Sequence, residues 1–118
     1  MSRTFGEYVR ERREELREED ARFSVRQVAA RIGVEPSYLS KVERGEQPPP
    51  SEATIAALAK ELGEAPEVLL AMAGKVPSDL LGIIRRRPRL FSDLLRQLQD
   101  LPDHALLRLV REVRDGEW

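Results

Sequence analysis

Apolar residues in this chain recur at intervals of three and four from end to end, and no stretch alternates with a period of two. That pattern builds helices with one buried face and leaves no half-buried strand. Phe5, Val9, Arg12 and Leu16 mark one face of a first helix, and Thr4 with Glu7 forms the capping box that starts it. A charged connection, Glu18 to Phe23, leads to a second helix beginning at Ser24. Gln27 completes another capping box there, and Val25, Val28, Ala29 and Ile32 supply the buried stripe up to Gly33. A short third helix spans Pro36 to Glu43, with Leu39 and Val42 inward. The stiff loop Gln47-Pro48-Pro49-Pro50 follows, then a fourth helix from Ser51 to Gly63 and a fifth from Pro66 to Gly74. Pro77, Pro88 and Pro102 each introduce a further helical segment. The expectation is an all-α chain: five helices in residues 1–74, then a helical extension of about three more in residues 75–118.

Composition narrows the function. The chain has 118 residues, with 20 Lys+Arg against 21 Asp+Glu and a net charge of -1. Such a balance gives no global case for nucleic acid, so any such case must be local. There is no Cys and one His, which excludes disulfides, thiol chemistry and multi-histidine or cysteine metal sites. No nucleophile–base pair, phosphate loop or metal cluster is present. The chain is read as no enzyme, with no catalytic residue, cofactor or metal. The longest apolar run, Val68 to Ala73, is too short to span a bilayer. The charged start after Met1-Ser2-Arg3-Thr4 is unlike a secretory leader, so a cytoplasmic, nucleoid-associated protein is expected.

The informative stretch is Ser24 to Leu62. Two helices that cross closely need a small residue in the first, and Ala29 is placed for it. The turn needs a residue tolerant of positive φ four positions later, and Gly33 is there. Val34 follows as an apolar plug. The next helix has a narrow buried side, Leu39 and Val42, and leaves Ser37, Tyr38, Ser40 and Lys41 outward. A helix so short and polar adds little core, so its exposed face is the candidate binding surface.

The pattern Ala29-x-x-x-Gly33-Val34-x-x-Ser37-x-Leu39-Ser40-x-x-Glu43-Arg44-Gly45, followed by Pro49-Pro50-Ser51 and Leu58-Ala59-x-x-Leu62-Gly63, resembles the Cro/CI-type (XRE family) helix-turn-helix domain. The resemblance covers residues 5–73. It implies a five-helix, lambda-repressor-like domain that places the helix Pro36–Glu43 in the major groove of a double-stranded operator. Ser37 and Lys41 match base-reading positions, with Pro36 and Tyr38 beside them and Ser40 on the outward side. Arg26, Gln27, Arg44 and Gln47 match phosphate contacts. Three departures stand out. Val25 occupies a usually polar position. Glu35-Pro36 replaces a Ser/Thr cap. The loop after Gly45 is one residue longer than its commonest form.

Residues 24–47 hold four bases (Arg26, Arg31, Lys41, Arg44) and three acids (Glu35, Glu43, Glu46). Glu43 is expected on the buried side, paired with an Arg. So few cations favour a homodimer that doubles the phosphate contacts. Residues 75–118 are the candidate dimeriser, since Leu80, Ile84, Leu94, Leu98, Leu106 and Val110 need partners. The extension also resembles those of small repressors cut by a regulatory zinc endopeptidase. The leading function is a homodimeric autorepressor. The alternatives are an antitoxin whose C-terminal helices hold a toxin, and a protein-binding scaffold.

Other features read as structural. The run Arg85, Arg86, Arg87 and Arg89 is a solvated helix end, with Asp79 and Asp93 as partners. His104 is a surface residue. The Glu14-Glu15 and Glu18-Glu19 pairs serve solubility and ion pairing. Trp118 is either loose or, as favoured here, anchored in an apolar groove or dimer seam.

Overall fold

The structure, a computed structural model, describes residues 3–118. The first two residues, on which the leader reading partly rests, lie outside them. The described residues form α1 (Phe5–Glu19), a one-turn 3-10 helix (Ala21–Phe23), α2 (Val25–Ile32), α3 (Pro36–Glu43), α4 (Glu52–Leu62), α5 (Pro66–Met72), α6 (Ser78–Arg86), α7 (Pro88–Leu98) and α8 (Asp103–Asp115). Among them there is no strand, so the all-α expectation holds. The chain divides into two units, one ending at Pro77 and the other spanning Ser78–Trp118. Lys75 belongs to the first, where its ammonium donates to the Pro50 carbonyl at 2.6 Å.

Local chemistry sets the helix ends. The Thr4 hydroxyl accepts from the Glu7 amide at 3.1 Å, and the Glu7 carboxylate accepts from the Thr4 amide. This is the expected capping box. At α2 only half of one forms: Ser24 Oγ accepts from the Gln27 amide, but the Ser24 amide donates to the Ala21 carbonyl. The cause is the 3-10 turn, which stands where the sequence suggested an irregular connection. Asp20 caps that turn by accepting from the Arg22 amide at 3.0 Å.

Gly33 closes α2 with φ 78°. The Val34 amide reaches the Ala29 carbonyl at 2.9 Å, and the Gly33 amide reaches Ala30 at 3.3 Å. These two bonds satisfy carbonyls that the helix end leaves free, and the turn re-aims the chain into α3. No atom crowds a side chain at Gly33, so the backbone angle alone demands glycine.

The core of the first unit joins all five helices. It contains Phe5 and Val9 of α1, Val28 and Ala29 of α2, and Leu39 and Val42 of α3. Ile55, Leu58, Ala59 and Leu62 of α4 and Leu69 and Leu70 of α5 complete it. Each fully buried aliphatic side chain contributes about 1.5–3 kcal/mol. Polar clamps hold the helices in register. Arg12 Nε donates to the Leu62 carbonyl at 3.1 Å, satisfying a free end of α4. The Tyr8 hydroxyl donates to the Glu64 carboxylate. That bond raises the Tyr8 pKa above its ordinary value and lowers that of Glu64.

Arg12 is not the inward arginine of α1. Its side chain is half-exposed, and Arg13 lies inside at 2 % exposure. Phe5, Val9 and Arg13 follow strict i+4 spacing, which is equally helical. Gly6 packs against α3. A side chain there would strike the Val42 carbonyl and stand 2.6 Å from the Glu43 carbonyl oxygen.

In the second unit α6, α7 and α8 have no buried residue. Arg85, Arg86, Arg87 and Arg89 are exposed at the α6–α7 junction, and the expected pairs with Asp79 and Asp93 do not form. Trp118 is 95 % exposed rather than anchored. Its indole N–H donates to the Val113 carbonyl at 3.0 Å, which holds the ring outside.

Candidate nucleic-acid interface

The two crossing helices place the predicted residues along one surface. Ser37, Lys41 and Arg44 follow i, i+4, i+7 spacing on α3 and its C-cap, and all three are exposed. Ser40 lies between them, half-buried. Pro36 occupies the first turn, half-buried, after Glu35, an exposed N-cap that makes no side-chain cap bond. Arg26 and Gln27 are exposed in the first turn of α2, where unpaired amides and the helix dipole favour an anion. Gln47 is exposed beyond α3, with its amide on the Lys41 carbonyl at 3.3 Å.

Tyr38 departs from its expected outward position. It is half-buried and packs on the core, since it lies one residue before Leu39 at the edge of the buried side.

Charge commitments sort the cations. Arg31 pairs with Glu61 at 2.8 Å and stacks over the Phe23 ring at 5.4 Å. Arg44 pairs with Glu46 at 2.8 Å, which lowers the Glu46 pKa and raises that of Arg44. Lys41, Arg26 and Arg10 form no ion pair among the described residues. Arg10 is a cation that sequence reading missed. It lines a polar recess of about 230 Å³ with Arg13, Glu14, Val25, Ser40, Glu43 and Arg44. It lies one turn before Arg13 on α1, a helix whose abundant Arg and Glu hid it.

Glu43 has the expected arginine partner, and it is Arg13. Arg13 Nε and Nη2 donate to the two Glu43 carboxylate oxygens at 2.8 and 2.9 Å. Nη1 donates to the Phe23 carbonyl at 3.1 Å, and Nη2 also donates to Glu14 at 3.1 Å. Burial works against the guanidinium charge, but the bonds and charge of Glu43, with Glu14, outweigh it and hold Arg13 above its ordinary pKa. Arg13 thereby balances the charge of the buried Glu43 carboxylate.

This arrangement agrees with a family model described as "Helix-turn-helix domain", which matches residues 4–72. The chain belongs to that family, and it carries a helix-turn-helix domain of the kind found in DNA-binding regulators. No curated protein and no solved structure matches it. No described helix is long and apolar enough to cross a membrane.

Proposed function

We propose that the protein is a sequence-specific transcriptional repressor of the Cro/CI type. It acts as a homodimer on an operator and reads the major groove with α3. The observation that carries this is the exposed row Ser37, Lys41 and Arg44, with the Lys41 ammonium unpaired and the neighbouring carboxylate Glu43 buried under Arg13. Lys41 and Ser37 read base edges. Arg26, Gln27, Arg44, Gln47 and the additional Arg10 fix the register on phosphates. Residues 75–118 pair the subunits, so two half-sites about 34 Å apart are read together. The repressor sign rests on the family resemblance. In this reading the protein works by binding, without catalysis or a cofactor, in the cytoplasm and on the nucleoid.

The test is selection of binding sites from random duplexes with the full chain, repeated with Lys41→Ala. The expected product is a two-fold symmetric site, with discrimination at the Lys41 contact falling by about 1–3 kcal/mol in the variant. Equal loss on every sequence would make Lys41 a phosphate contact. Absence of any preferred site would end the proposal.

A second reading is favoured by the exposed apolar faces of α6, α7 and α8. It makes the protein an antitoxin whose C-terminal helices hold a toxin. A stable heteromeric complex formed in the native host would decide for it.

A further inference from the structure

The C-terminal unit has too little interior to account for its own folding. No described residue of Ser78–Trp118 is buried, and Leu90, Leu107, Val110 and Val113 are each more than half exposed. Units of about 40 residues obtain a core from disulfides, metals or association. The chain has no Cys, and no described cluster could hold a metal ion, which leaves association. The place for it is visible. A groove of about 570 Å³ runs between α7 and α8, lined by Leu94, Leu98, Leu106, Leu109, Val110 and Val113, with Arg114 at its edge.

We propose that this face binds the same face of a second copy, with the two α8 helices antiparallel about a two-fold axis between Leu109 and Val110. The proposal rests on the homodimer reading above and assigns its surface. Leu90, Leu94, Leu95, Leu107, Val110 and Val113 each leave about half or more of their surface in solvent, an exposed apolar area of the kind that marks an interaction site.

The face is also self-complementary. Ser78–Trp118 holds eight Arg against seven Asp+Glu, so two copies meet without a like-charge barrier, and nothing selects a strongly charged foreign partner. On α8 the apolar stripe Leu106, Leu109, Val110 and Val113 is symmetric about its own midpoint. Antiparallel pairing sets Leu106 opposite Val113 and Leu109 opposite Val110. Asp103 lies in the first turn of α8 and Arg114 in the last, so the same pairing brings Asp103 toward Arg114 twice, beside the Asp115 carboxylate that Arg114 already holds at 3.0 Å.

The test is sedimentation velocity on the full chain, read beside the emission of Trp118, the one tryptophan, tethered at Val113. The wild type is expected to be a dimer, its emission shifting to the blue as concentration rises. Val110→Glu buries nothing in a single chain. It is expected to keep its helix signal and weaken dimerisation at least tenfold. Asp103→Arg and Arg114→Asp are each expected to weaken the dimer. An equimolar mixture of the two restores it, because each mixed dimer holds two opposite-charge contacts. A monomeric wild type, an unaffected Val110→Glu dimer, or a mixture no tighter than either variant alone overturns the proposal. A monomeric chain whose α6–α8 helices pack within one molecule, or bind another protein, falls under the first outcome. Low-salt binding of the same full-length variants to duplex DNA reports the helix-turn-helix reading separately, since all three changes lie outside α2 and α3.

Discussion

Arg13 and Glu43 lie 30 residues apart and meet face to face in the interior, two nitrogens on two carboxylate oxygens. The pair joins the middle of α1 to the last turn of α3. Its bonds fix the distance between the two helices and the roll of α3 beneath its exposed side chains.

Removing one partner leaves a buried charge. Arg13→Met is expected to cost about 3–5 kcal/mol by urea denaturation. Adding Glu43→Leu should recover most of that, because an apolar pair of similar volume replaces a buried ion pair at little net cost. If the double variant is stable but binds DNA more weakly, the pair serves to position α3. If it is stable and binds normally, the pair contributes only to folding.

Arg44 is held by Glu46, and in the proposed complex a phosphate would have to displace that carboxylate. Glu46→Gln removes the competing carboxylate, so binding to a random-sequence duplex should tighten several-fold. The slope of log K against log salt should steepen by about one contact. An unchanged slope in an anisotropy titration would show that Arg44 does not reach the backbone.

Asp20 is kept at about 2, against an ordinary 3.8, by the Arg22 guanidinium and the Arg22 backbone amide. A folded-state pKa below the unfolded value contributes stability that is complete above the unfolded value. That contribution is lost as pH falls from about 4 through about 2. Asp20→Asn retains the capping oxygen but no longer titrates. Thermal melts across this window should show a shallower decline for the variant, and parallel declines would discount the Asp20–Arg22 pair.

The helices were legible in the sequence because Gly, Pro and capping residues punctuate each one. Gly33, Gly63 and Pro66 stand at real boundaries. Ser37 and Lys41 of α3 were legible because spacing alone assigns them a face, whereas Tyr38, at the edge of the buried side, was not. Arg13 was not, because a helix dense in arginine offers several i+3 and i+4 series, and only the position of Glu43 in space selects among them. Arg10 was hidden for the same reason. The 3-10 turn escaped because one turn carries no periodicity, and the second unit lacks an interior that could confirm which of its stripes is inward.

The contact between Gly6 and the end of α3 is backbone against backbone, with no side chain between. A joint of that kind has no adjustable part. The approach of α3 to α1 is therefore set by this backbone contact together with the Arg13–Glu43 pair, independent of what its outer face displays. In the proposed reading, exchanging Ser37 or Lys41 for other side chains would alter the message and leave the mounting untouched, so new operators would be reachable by surface substitution alone.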